Sequence, residues 1–180
     1  MKLALKEFSS SNLILIQGSA HVDARGQFRN LYKADDSKYK LAWGDRPISQ
    51  VNISVNRAIG QIRGLHYQSC RNSEAKLITC IRGRVWDVAV DMRDNSPTKH
   101  KWCGFELDSA SGNAILIPEG FAHGFQALES SSELLYLHSG NWIQDSEVGV
   151  RFDDPLLSIK WPLAPVGLSD RDLSFPFLEI

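Results

Sequence analysis

The chain has 180 residues, enough for one domain that buries about 70% of its unfolded surface without a disulfide or metal staple. Hydrophobic residues make up 43% and charged residues 23%, which excludes collagen-like, coiled-coil and disordered classes. Lys and Arg number 20 against 21 Asp and Glu, so no polyanion-binding surface and no nucleic-acid partner are expected. Met1 to Glu7 lacks a basic region followed by a long apolar run and a small-residue cleavage site, and apolar segments such as Leu13–Ile16 are too short to span a bilayer. A cytoplasmic protein with no membrane partner is therefore expected. The three cysteines, Cys70, Cys80 and Cys103, sit at no metal-ligand spacing and read as buried, reduced thiols.

Apolar residues come in short alternating runs rather than at helical spacing. In chain order the candidate strands are Leu13–Gln17, Gln50–Asn56, Lys76–Arg82, Val85–Met92, Trp102–Leu107, Ala114–Ile117, Gly124–Leu128 and Glu133–His138. Gly, Asn, Ser, Asp or Pro punctuate the gaps between them. Gly83, between two of these runs, reads as the turn of a hairpin, and Ser109–Asn113 as the turn before another strand. Only Asp35–Trp43 has helical character. Many short strands at near-regular spacing predict an all-β sandwich or barrel, a jelly roll with short peripheral helices. No linker divides the chain, so residues 1–180 form one expected domain, with a Pro-rich tail from about 156 to 180 wrapping the sheet. Within that tail Leu168–Asp172 is unusually polar.

Four groups of residues are equipped for chemistry. In Arg63-Gly64-Leu65-His66-Tyr67-Gln68, an arginine and a histidine can converge on one anion-lined pocket if the segment enters a strand. His66 is then either a base poised near neutral pH or a structural histidine at a strand start. In Pro118–Phe125 a turn precedes His123 between two phenylalanines, which suits either a pocket mouth or a satisfied core histidine. Val85–Asp91 puts Asp87 and Asp91 on one face of an apolar strand, where buried carboxylates need partners, structural or catalytic. Lys76 opens a strand and Tyr136 lies inside the apolar run Leu134–Leu137. Asp153 and Asp154 precede Pro155 and read as a turn or cap without chemistry. The fold class also admits a metal cupin, but the position of a second ligand two residues after His66 holds Gln68, and His21, His100, His123 and His138 are scattered singly. No metal is expected.

Taken together and in order, these segments resemble the dTDP-4-dehydrorhamnose 3,5-epimerase family. The resemblance is carried by Asp23–Phe28, Gln50–Ser54, Arg63–Gln68, Lys76-Leu77, Gly83–Arg93 with Asn95–Thr98, Pro118–Phe125, Tyr136, Asp153–Pro155, Trp161-Pro162 and Leu168–Asp172. It spans the chain from about residue 13 to the end.

What the resemblance implies is a cupin-like jelly roll that forms a homodimer and works without a metal or organic cofactor. Its substrate would be a dTDP-linked 4-keto-6-deoxy sugar, inverted at C3 and C5. A C–H beside a ketone is acidic only because the enolate is delocalised, so the reaction needs a base, an enolate stabiliser and an acid on the opposite face. By the family pattern His66 is the base and Asp172 orients it. Lys76, with Arg63 nearby, stabilises the enolate oxygen, and Tyr136 is the acid. His123 matches a second pocket histidine, with Asp87 as its partner. Arg25, Phe28, Gln50, Asn52, Trp142, Glu147 and Arg171 fall on substrate-binding positions, Arg25 and Phe28 serving the partner subunit's site. The chain departs from the pattern at Asn30, where a glutamate is usual, at Trp142, where a tyrosine is usual, and in Ser69–Glu74, which lacks the usual prolines. A C3-only epimerase is the second reading, and a metal cupin or a non-catalytic sugar-nucleotide-binding protein are further alternatives.

Overall fold

The computed structural model describes residues 4–8, 13–18 and 20–179. Strands β1 (Ala4–Phe8) and β2 (Leu13–Gln17) are followed by a ribbon of β3 (His21–Asp23) and β4 (Gly26–Phe28), then helix α1 (Ser37–Trp43). Next come β5 (Gln50–Asn56), β6 (Ile62–Gln68), β7 (Lys76–Arg82), β8 (Arg84–Asp91), β9 (Trp102–Asp108), β10 (Ala114–Ile117), β11 (Phe121–Ala127), β12 (Ser132–His138) and β13 (Glu147–Gly149). Helix α2 (Asp170–Ser174) lies in the tail. One sheet has the order β1-β2-β10-β7-β12-β5 and the other β13-β6-β11-β8-β9. All the strand pairings within the sheets are antiparallel. The two sheets form the sandwich that the alternating runs predict.

Strand periodicity explains three packed layers. Ile78, Cys80, Ile115, Ile117 and Leu134 point inward from the six-stranded sheet and meet Val85, Ala89, Phe105, Leu107, Phe121 and Phe125 from the other. The alternate residues Leu77, Ala114, Leu116 and Leu137 point outward and are covered by Tyr39, Ala42 and Trp43 of α1. That double coverage is why β10 is buried at every position. On the far side, Leu65, Val88 and Val90 pack under the tail through Val150, Leu157 and Trp161. Asp154 fastens the tail by accepting the backbone N–H groups of Leu156, Leu157 and Leu178, the capping role its sequence context suggests.

Strand β5 inverts the ordinary pattern. Its polar residues Gln50, Asn52 and Ser54 face the space between the sheets, while Val51, Ile53 and Val55 are 55%, 58% and 52% exposed. An edge strand that turns its polar face inward lines a polar cavity there, and its apolar outer face calls for cover.

The structure corrects several readings. Gly83 does not turn a hairpin: β7 and β8 belong to different sheets, and Gly83 is the corner between them, at φ +70 with Ser132 Oγ 2.6 Å from where a Cβ would sit. Alternation alone does not separate a corner from a hairpin, because both need one sharp turn. The strand expected at Gly124–Leu128 begins three residues earlier, at Phe121, so His123 lies within it. The sequence reading also missed β1, β3, β4, β13 and α2, each at most five residues long, and it left the seven-residue β6 only as a segment that could enter a strand. Cys80 is buried, and burial pushes its thiol up to about 12. Cys103 is only partly buried, and the Cys70 side chain and residues 1–3 lie outside the described residues.

Candidate active site

A cavity of about 890 Å³ opens between the sheets at the end where β5, β6, β7, β11 and β12 converge with the tail. Both Arg63 and His66 line it, although residues three apart on a regular strand point to opposite faces. The register between β11 and β6 supplies the reason. His123 pairs with His66 and Phe125 with Arg63, so two residues of β6, Gly64 and Leu65, stand opposite Gly124 alone. This bulge turns Arg63 back to the cavity side. It requires glycine on both strands: Gly64 has φ +114 and a Cβ there would lie 2.6 Å from Gly124 Cα, while a Cβ on Gly124 would lie 2.8 Å from the Arg63 carbonyl oxygen. Gly64→Ala is expected to lose about 1–3 kcal/mol of stability and to misplace both side chains, which thermal unfolding and activity measured together will report.

His66 and Asp172 come from segments 106 residues apart and meet at 2.6 Å through Nε2 and Oδ1. Asp172 sits in the first turn of α2, where its backbone N–H donates to the Ser169 hydroxyl that caps the helix. Burial pushes the Asp172 carboxyl up, but the hydrogen bonds from His66 and Ser169 outweigh it and hold it below its usual value. The ionised carboxylate only accepts, so Nε2 of His66 carries a hydrogen, and in the neutral imidazole the lone pair is then on Nδ1. Phe175 meets the His66 ring edge-on at 5.4 Å. A second pair stands beside the first: His123 Nε2 donates to buried Asp87 Oδ2 at 2.8 Å.

The opposite wall belongs to the six-stranded sheet. Tyr136 of β12 bonds Ser54 Oγ at 3.2 Å, with its ring against those of His123 and His138. Burial raises the Tyr136 hydroxyl far above the ordinary tyrosine value, so it stays protonated at neutral pH and can give a proton away. Lys76 of β7 is 8% exposed and lies 3.6 Å from Glu74. Burial pushes its ammonium below the usual lysine value, against the pull of Glu74, Glu147 and Asp87. Asp87 Oδ1 is buried with no hydrogen-bond partner among the described residues, and the Asp87 charge acts to raise the Lys76 value. Arg63 is held by Asn56 Oδ1 at 2.9 Å.

At the mouth, Glu147 accepts from Trp142 Nε1 at 2.5 Å and pairs with Arg171. Gln50 and Asn52 lie along the β5 wall. The structure thus brings His66, Tyr136, Asp172, Lys76, Gln50, Asn52, Arg63, His123, Trp142, Glu147 and Arg171 to one cavity. It does not bring Arg25 and Phe28 there. They sit on the β3–β4 ribbon, Arg25 paired with Asp23 and 90% exposed, Phe28 67% exposed. Gln68 is committed to Asn72 O, Asn141 O and Ile143 N, and among the described residues no group of three His, Cys, Asp or Glu side chains could hold a metal. Sequence reasoning missed Ser54, Glu74 and His138. The alternation of β5 implies Ser54, and His138, two residues after Tyr136, shares its face.

The depressed Lys76 value has a pH signature. If the charged ammonium is needed, activity falls as pH rises through a value below the ordinary lysine range. Glu74→Gln removes a charge that raises this value, so the alkaline limb of the rate profile is expected to move to lower pH, and Tyr136→Phe is expected to leave its midpoint in place. Rates of deuterium exchange across the alkaline range check both.

The family model of dTDP-4-dehydrorhamnose 3,5-epimerase matches residues 7–179. The dTDP-4-dehydrorhamnose 3,5-epimerase of Mycobacterium tuberculosis is 40% identical over 167 residues, covering 91% of this chain and 82% of the relative. The dTDP-4-dehydrorhamnose 3-epimerase of Streptomyces niveus is 41% identical over 152 residues, 83% of this chain and 72% of the relative. Among solved structures, the 4-keto-6-deoxy sugar epimerase of the Streptomyces spheroides novobiocin cluster superposes with a TM-score of 0.92 at 34% identity, over 98% of this chain and 88% of that one. The fold is the cupin-like jelly roll of these epimerases. With the matches spanning nearly its whole length, the chain is an epimerase and belongs to the dTDP-4-dehydrorhamnose 3,5-epimerase family.

Proposed function

We propose that the protein inverts C3 and C5 of dTDP-4-keto-6-deoxyglucose, giving dTDP-4-dehydrorhamnose, with protein side chains as the only acids and bases. The observation that carries this reading is the placement of an oriented base and a protonated phenol on facing sheets, His66 with Asp172 on one side and Tyr136 on the other. Nδ1 of His66 takes the proton from C3. The C–H electron pair becomes the C3–C4 double bond, and the carbonyl π pair moves to the C4 oxygen, where Lys76 and Arg63 meet the new charge. The Tyr136 hydroxyl then protonates C3 from the opposite face as the ketone reforms. His66 returns its proton to solvent, Tyr136 regains one from it, and the cycle repeats at C5.

Arg171 at the mouth suits the diphosphate, and Trp142 offers a face on which a base can stack. Arg25 and Phe28 serve the partner subunit's site in a homodimer, which would also cover the exposed Val51, Ile53 and Val55. A cytoplasmic setting fits a nucleotide-linked substrate. No helix among the described residues is long and apolar enough to cross a membrane.

The similarity to the Streptomyces niveus 3-epimerase supports a second reading, inversion at C3 alone on the same machinery. Borohydride trapping of the product followed by sugar analysis separates the two. Inversion at both centres yields 6-deoxy sugars of the L series, inversion at C3 alone keeps the D series, and unchanged D-quinovose and D-fucose would refute the function.

A further inference from the structure

His138 and Glu74 have no role in the reaction scheme, yet both lie in the wall of the cavity, with side chains only 12% and 5% exposed. They belong to a series of polar contacts that starts at the mouth. The backbone N–H of Trp142 donates to Gln50 Oε1 at 3.0 Å, and Gln50 Nε2 donates to Asn52 Oδ1 at 3.1 Å. Asn52 Nδ2 meets His138 Nε2 at 3.3 Å, His138 Nδ1 meets Glu74 Oε2 at 3.1 Å, and Glu74 Oε1 lies 3.6 Å from Lys76 Nζ.

The direction of every link follows from its two ends. A backbone N–H can only donate, so the Gln50 oxygen accepts and its amide nitrogen must be the donor to Asn52. That leaves the Asn52 nitrogen facing His138, so Nε2 of His138 accepts and its hydrogen sits on Nδ1. The hydrogen on Nδ1 points at a carboxylate, which can only accept. Each link is consistent with the next, and the series ends on the anion beside Lys76. The strand register makes it possible: in the sheet His138 stands opposite Gln50 on one side and Lys76 on the other.

We propose that His138 and Glu74 are positioning residues, and that this one-way hydrogen-bond chain fixes the Glu74 carboxylate which in turn places the Lys76 ammonium at the enolate oxygen. The assignment rests on the reading of Lys76 as the enolate-stabilising group. Gln50 and Asn52 each keep one amide hydrogen outside the chain, so they remain able to bind a ligand. Occupation of the mouth beside Trp142 and setting of Lys76 are thereby parts of one connected structure.

Two variants isolate the hydrogen bonds from the packing. His138→Phe keeps an aromatic ring stacked on Tyr136, where the rings now lie 5.8 Å apart at 23°, but removes both polar ends. His138→Gln keeps one acceptor and one donor in the same sense. The chain predicts that His138→Phe lowers kcat about 10–100-fold with KM within about threefold of the native protein, while His138→Gln restores kcat to within about threefold. Native kcat in both variants, or an equal loss in both, overturns the positioning role; the second result would make the ring itself an acid or base. Nitrogen-15 NMR of the histidine rings tests the chain without turnover. Native protein is expected to show His138 as the Nδ1–H tautomer at neutral pH, its signals identified by their loss in His138→Gln. An Nε2–H or doubly protonated ring overturns the chain. If native protein fails to turn over dTDP-4-keto-6-deoxyglucose, the proposed function falls, and the tautomer still decides the chain.

Discussion

His66→Asn is expected to lower the rate of C3 proton exchange by about 10²–10⁴-fold, the range typical of a lost general base. Asparagine suits the test because its amide can still donate to Asp172, which is 3% exposed and would otherwise be left as a buried, unpaired carboxylate. The chemical loss is thus separated from a collapse of α2 onto or away from β6. KM is expected to change little, because the imidazole acts on the reacting carbon rather than on the nucleotide. Proton NMR of the substrate in deuterated buffer reads the exchange directly. Exchange within tenfold of the native rate would remove His66 from the role of base.

The second large effect is qualitative as well as quantitative. Tyr136→Phe keeps the ring against His123 and His138 and deletes one hydroxyl, so the fold loses only the bond to Ser54. Proton abstraction by His66 survives, but the acid on the opposite wall is gone. The enolate then recovers a hydron from the His66 side, and deuterium enters at C3 with retention. Net inversion is expected to fall by about 10²–10⁴-fold while exchange falls far less. A variant that inverts at the native rate would show that another group delivers the proton.

Much of this was legible in the chain, for identifiable reasons. The bounds of β2, β5, β7 and β10 follow from short apolar or alternating runs and from the turn residues that flank them. The meeting of His66 with Asp172 did not follow from spacing, because 106 residues separate them; only the family resemblance joined them. Helix α2 is too short for periodicity, yet Ser169 with Asp172 three residues on is a capping signal that marks its start. The bulge at Gly64 was hidden, because a bulge exists only relative to the register of the partner strand. Glu74 and His138 were hidden for a related reason: one ends a loop and the other an apolar run, and their meaning lies in the strand between them. The inverted pattern of β5 was readable as a strand but not as a cavity wall, since alternation does not say which face is inside.

The central claim, base-and-acid epimerisation through an enolate, is tested most directly by incubating the protein with dTDP-4-keto-6-deoxyglucose in deuterated buffer and following the sugar protons by NMR. The account predicts disappearance of both the C3 and C5 proton signals, with the product inverted at each. Loss at C3 alone would confine the chemistry to one centre. Persistence of both signals at an enzyme concentration that saturates the substrate would contradict the mechanism.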